Sequence, residues 1–166
     1  MSLHALTHAK APWTHLLAAT PSDACDALGG LESSAANRLV ARLIRGRKST
    51  TREAFFDESA AALQFPYYFG ENWDAFHDCL GDLAWLHAAT VVVGLLDADR
   101  LLAAGPPESA KHLATVLQEV AARRNRPAGK KAARPFHVVF QAVPAVAEEV
   151  ARRWQALGLS LGRLGG

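Results

Sequence analysis

The chain has little with which to cross-link itself. Cys25 and Cys79 are the only cysteines among 166 residues, too few for a disulfide framework, so free thiols in a reducing cytosol are the expectation. Long hydrophobic runs are also missing. The longest apolar stretch, Ala88 to Leu96, falls well short of the roughly 20 residues that a bilayer-spanning helix needs. No charged start leads into a long apolar core, so no signal peptide is expected. These absences point to a cytoplasmic protein with no membrane partner. Half of the residues are hydrophobic and 20% are charged, which excludes a disordered or fibrous chain. The length suits one domain able to bury a core without staples.

Net charge hides the main electrostatic feature. The chain carries +2 overall, but Met1–Arg52 carries +4, Glu53–Glu119 carries −9 and Val120–Gly166 carries +7. An acidic middle between basic ends implies an acidic surface, and such a surface favours basic partners.

Residues 1–37 read as an N-terminal extension with one short apolar element, WTHLLAA, before Pro21, Gly29 and Gly30 break the pattern. RLVARLIRG (38–46) alternates as a strand. Thr50 or Thr51 can cap a helix that must end before Pro66. Pro66 and Gly70 make a loop, Asn72 is an N-cap, and Trp73 to Leu83 is a helix. Ala89 to Leu96 reads as a buried strand. Asp97 can cap a short helix to about Ala104, stopped by Gly105 and Pro106. A longer helix spans about 107–124, followed by a basic loop (123–134). Phe136 to Gln141 is a third strand, and Pro144 opens a last helix to about Leu157 ahead of a glycine-rich tail. Strands separated by helical crossovers pair in parallel. The expected fold is α/β: a small three-stranded parallel sheet flanked by helices, with N- and C-terminal extensions. The corresponding domain limits are 1–37, 38–143 and 144–166.

The helix from Trp73 carries the most information. Phe76, Cys79, Leu80 and Leu83 form one apolar stripe at i, i+3, i+4, i+7. Asp74, His77, Asp78 and Gly81 form the opposite face. Asp74 suits the first turn of a helix. Asp78 lies deeper and one turn from a like charge, which is mildly unfavourable, so solvent or a partner must account for it. Catalysis is not expected, because His77 and Asp78 are helix neighbours that point in different directions and no serine or cysteine nucleophile motif is present. Asp74, His77 and Asp78 resemble a metal ligand set, but no further ligand stands at recognisable spacing. No metal or cofactor is therefore expected. The third possibility is a docking surface for a cationic pocket. The loop aromatics Tyr67, Tyr68 and Phe69 lead into the acidic face, with Trp73 at its first turn, and aromatics beside charges suit a protein interface. Phe69 and Trp73 could equally be core residues.

The stretch FPYYFGENWDAFHDCLGDL (65–83) resembles the signature of the barstar family, the intracellular inhibitors of barnase-type ribonucleases. It has the proline, the aromatic pair, Gly-Glu-Asn, and two aspartates one turn apart followed by Cys-Leu. The likeness is strong over Pro66 to Leu80 and weaker over about Leu39 to Gln141. It implies a parallel-sheet fold and a protein that is no enzyme but plugs the active site of a basic ribonuclease or a toxin's ribonuclease domain, as an antitoxin or immunity protein does. The resemblance assigns Tyr68 to the interface and sets Asp74 and Asp78 against the enzyme's basic pocket. LQEVA (117–121) would supply a peripheral glutamate, Glu119. His77 stands where the family archetype has an interface tryptophan, Trp73 where it has a leucine, and Asp82 where it has a glycine. The expected partner-binding set is Tyr68, Trp73, Asp74, His77, Asp78, Gly81 and Glu119, with side-chain-free Gly81 allowing close approach.

Two alternatives stand beside this reading. One is a barstar-like module reused for a non-ribonuclease partner. The other is an RNA-binding accessory protein that grips phosphates with the basic 123–134 loop. No aromatic residue interleaves that run, which argues against direct nucleic-acid binding.

Overall fold

The computed structural model describes residues 2–34, 38–130 and 132–165. In chain order the elements are β1 (Thr14–Ala18), α1 (Pro21–Ser34), β2 (Leu39–Arg45), α2 (Arg52–Leu63), α3 (Trp73–Asp82), β3 (Thr90–Leu96), α4 (Pro107–Arg124), β4 (Phe136–Ala142), α5 (Pro144–Ala156) and β5 (Gly162–Leu164), with short 3-10 turns at Leu3–Thr7, Gly46–Lys48 and Ala84–Leu86. Thr51 accepts a hydrogen bond from the Ala54 amide and caps α2. That helix ends at Gln64, which is left-handed, two residues before Pro66.

The sheet is parallel throughout, but it has five strands rather than the expected three, in the order β2-β3-β4-β1-β5. The two extra strands come from the segments read as extensions. β1 is the core of WTHLLAA and pairs along its whole length with β4. Four of its five residues are buried, so it shows no polar alternation. β5 is three residues long and pairs with β1. A strand so short has no readable period. The expected helix from Asp97 is also corrected, because residues 98–104 form successive turns. Asp97 adopts a left-handed backbone (φ 48°) that an N-cap does not use, and its amide donates to the Gln141 side chain at 2.8 Å. The turns are tied down elsewhere, with the Leu102 and Ala104 amides donating to the carbonyls of Ser49 and Thr50.

Helices cover both faces of the sheet unequally. Val91, Val93, Leu95, Phe136, Val138 and Phe140 share one cluster with apolar side chains of α2, α3, α4 and α5. Val92, Leu96, Val139 and Leu17 share a smaller one with Ala24 and Leu28 of α1. The period-2 alternation of β3 and β4 sorts these residues. Gly94 is the exception that permits close packing of α1, since a Cβ there would lie 2.7 Å from Leu43 and 2.9 Å from Leu28. A larger residue would require the Leu28 and Leu43 side chains to shift.

One polar pair lies between β1 and β4. His15 Nε2 is 3.0 Å from His137 Nδ1, and His137 Nε2 donates to the His8 carbonyl at 2.7 Å. Both rings are fully buried. Burial first, and the facing imidazole second, lower the His15 pKa to about 4, and burial also lowers that of His137. A lowered histidine pKa means that the unfolded chain binds more protons, so the stabilising contribution is complete above the unfolded value and is lost as pH falls. We expect the thermal midpoint to fall as pH drops from about 6.5 to about 4. A His15→Gln variant should show a shallower decline in the same calorimetric series. An equal slope in both proteins would rule out this pair as the cause.

Candidate functional site

The α3 helix is held from both ends and from beneath. At its start, Asn72 accepts a hydrogen bond from the Ala75 amide at 2.8 Å. At its end, Leu83 turns left-handed and its amide closes on the Cys79 carbonyl. Phe76 and Leu80 are fully buried beneath it, as the apolar stripe predicts. The loop before it makes a turn in which the Phe69 amide donates to the Pro66 carbonyl at 2.9 Å. Phe69 packs edge-on against Phe56 and Phe65. Trp73 packs on Phe55, Phe56 and Phe76, and its outer face stacks on His112 of α4. The indole is thus largely committed to an aromatic cluster. Tyr67 and Tyr68 lie outside it, 100% and 69% exposed.

Three contacts show how α3 and α4 lie together. Trp73 meets His112, His77 meets Glu119, and Gly81 meets Arg123. Positions advance together along both helices, so they run side by side in the same direction, with adjacent C-termini. This brings Glu119 level with Asp78. His77 lies between them, with Nδ1 3.4 Å from Asp78 and Nε2 3.3 Å from Glu119. The expectation that His77 and Asp78 point apart is therefore corrected. Both side chains lean toward the groove between α3 and α4, where Glu119 holds the other ring nitrogen.

Gly81 is not an open approach point either. It is buried, and a Cβ there would collide with the Arg123 guanidinium. The residue leaves room for an arginine of this chain rather than for a partner. Beyond it, Arg124 Nη1 donates to the Gly81 and Asp82 carbonyls at 3.1 and 2.8 Å, and Arg134 reaches the same carbonyls. These are the unpaired carbonyls of a helix C-terminus, where the dipole favours cations. Arg124 is nearly fully buried. Burial, then the like charges of Arg134 and Arg123, lower its pKa to about 10, opposed by Asp82.

The resulting surface has two poles. Asp74, Asp78 and Glu119 form the acidic one, with the Asp78 and Glu119 side chains 83% and 61% exposed. At the C-terminal ends of α3 and α4, arginines 123, 124, 126 and 134 line a cleft of about 650 Å³ shared with Asp78 and Asp82. Among the described residues no cluster of three or more His, Cys, Asp or Glu could hold a metal ion, and no helix is long and apolar enough to cross a membrane. Cys25 and Cys79 are both free. Cys79 is buried, and burial together with Asp78 and Asp82 raises its thiol pKa, which makes it a poor nucleophile.

The family model described as Barstar (barnase inhibitor) matches residues 39–141, from the first residue of β2 to within one residue of the end of β4. The chain belongs to the barstar family. The matched span contains every acidic and aromatic residue of the surface just described. No curated protein matches the chain. The family is one of inhibitors of a ribonuclease, and its fold class agrees with the parallel α/β sheet here.

On this barstar-family surface His112 escaped the sequence reading, and so did the part that Arg123 and Arg124 play at the end of α3. His112 gave no signal, because a lone histidine on a polar helix face looks solvated. Arg123 and Arg124 read as part of a basic loop. The available clue was position: they end α4, where arginines can cap helix carbonyls. The anchoring can be tested. Asn72→Ala should cost about 1 kcal/mol of stability. Arg124→Met should cost about 2–4 kcal/mol, because it leaves the Gly81 and Asp82 carbonyls with only the long contacts of Arg134. Chemical denaturation measures both. A loss for Arg124→Met no greater than for Asn72→Ala would show that water replaces the arginine.

Proposed function

We propose that the chain inhibits a basic, barnase-type ribonuclease or a ribonuclease toxin domain by docking the outer face of α3 into its active site. One observation carries the proposal. Among the described residues, Asp74, Asp78 and Glu119 stand exposed on adjacent helices with no lysine or arginine paired to them. A ribonuclease must bind phosphodiester with cationic groups, and a carboxylate on a rigid helix can occupy the place of that phosphate. Asp78 is the central member, one turn from Asp74 and level with Glu119. Tyr68 supplies exposed aromatic area at the edge. His77 serves as an adjustable neighbour of Asp78 and Glu119, and Trp73 contributes by holding the start of α3 against α4. The acidic segment would also steer a basic partner toward the face.

In this interface Asp78→Ala leaves partner cations buried without a counter-charge. Such truncations cost about 2–5 kcal/mol, a range to which the barnase–barstar complex itself contributes. We expect binding to weaken by about thirtyfold to several thousandfold, mainly through faster dissociation, with an unchanged thermal midpoint. Surface-plasmon kinetics on an immobilised barnase-type ribonuclease, with a melt of each variant, tests this. If folded Asp78→Ala binds as tightly as the wild type, the docking face lies elsewhere.

A further inference from the structure

The arginine cleft is not needed for the docking face, and its chemistry differs. Arg123, Arg126 and Arg134 are exposed, whereas Arg124 is buried. None of the four makes an ion pair among the described residues, although Asp78 and Asp82 line the same cleft.

Capping α3 explains only part of the cluster. Each guanidinium has five N–H donors. Arg124 spends Nη1 on the helix carbonyls, and its Nε is buried with no partner. Arg134 makes two long contacts, at 3.3 and 3.5 Å. Arg123 and Arg126 make no side-chain hydrogen bond among the described residues, and Arg123 simply lies over Gly81. Donors therefore remain where several forks converge. The positive charge is only partly balanced. Two aspartates and two helix C-termini offset four guanidinium groups incompletely, and Arg124 still feels Arg134 and Arg123 as unfavourable neighbours.

The cleft is also built in advance. The Asn125 side chain accepts from the Phe136 amide at 3.0 Å and donates to the Phe136 carbonyl at 2.7 Å. The Arg134 amide donates to the Arg124 carbonyl at 2.9 Å. These bonds pin the backbone at both ends of the basic segment to α4 and β4, so binding needs to order the exposed arginine side chains but not the chain that carries them at those ends.

We propose that this cleft binds a phosphate group, free or carried on RNA. A carboxylate offers two acceptor oxygens and one charge. A phosphate offers more oxygens, matched to several guanidinium forks at once. The proposal uses the arginines and not the carboxylates, although Asp78 borders both this cleft and the docking face.

The test is an amide and arginine side-chain NMR titration of the full chain at fixed ionic strength. The probes are inorganic phosphate in one arm and a short oligouridylate in the other. We expect saturable shifts at Gly81, Asp82, the residue 123–126 amides and the Arg124 Nε–H. The double variant Arg123→Gln/Arg126→Gln replaces two exposed side chains and should keep the wild-type melt. It should weaken binding by at least about tenfold. Tighter binding of the oligouridylate, lost in the double variant, identifies RNA as the source of the phosphate. Saturation by phosphate that oligouridylate does not displace identifies the free anion. Absence of saturable shifts in both arms, equal shifts with sodium chloride, or unaltered binding in the double variant would overturn the proposal.

Discussion

A buried arginine ties the C-terminal ends of α3 and α4 together. Two helices packed in the same direction place two negative C-termini side by side, and that arrangement needs positive charge at the join. Arg124 supplies it from the last turn of α4, donating to the final carbonyls of α3 while its guanidinium lies over the Phe136 ring. Phe136 begins β4, so the same side chain connects both helices to the sheet. Burying a guanidinium is costly, and the lowered pKa records that cost. Hydrogen bonds to two carbonyls offset it. With this join in place, Glu119 stands opposite His77 and Asp78. Without it, α3 could slide along α4 and the acidic groups would no longer face one direction.

One side chain of the proposed docking face touches two of its carboxylates. A neutral imidazole has one N–H and can donate to one carboxylate only, whereas an imidazolium can donate to two. His77 presents one ring nitrogen to Asp78 and the other to Glu119. A cationic partner that approaches Asp78 competes with His77 for the same oxygens.

The sequence carried the local structure of the central segment with little ambiguity. The stripe of Phe76, Cys79, Leu80 and Leu83, the Asn72 cap and the proline-bounded loop each have a local physical cause, and the structure places them accordingly. What it hid depended on distant residues. Four of the five residues at 14–18 are buried, polar Thr14 and His15 among them, so no alternation marked them as a strand. Asp97 looked like a cap until Gln141, 44 residues away, took its amide. Arg123 looked like part of a loop, but it covers Gly81 across the helix pair. The residue types of the candidate surface were legible, whereas their mutual distances were not, because helix direction is a property of the whole sheet.

The strands outside the family match explain how that sheet is finished. With β2, β3 and β4 alone, β4 would be an edge, and its row of backbone donors and acceptors would face solvent. Every residue of β4 is buried, because β1 pairs along it. The new edge on that side is β5, only three residues long, and the opposite edge, β2, carries Arg42 and Arg45 engaged with Glu32 and Glu58. Short or charged edges resist pairing with another chain. The terminal segments therefore close the sheet by backbone pairing, while α3 and α4 pack against the larger core with their acidic and basic groups outward. Association through a strand edge is disfavoured at both ends of the sheet, which is consistent with the proposed docking through side chains of the helix pair.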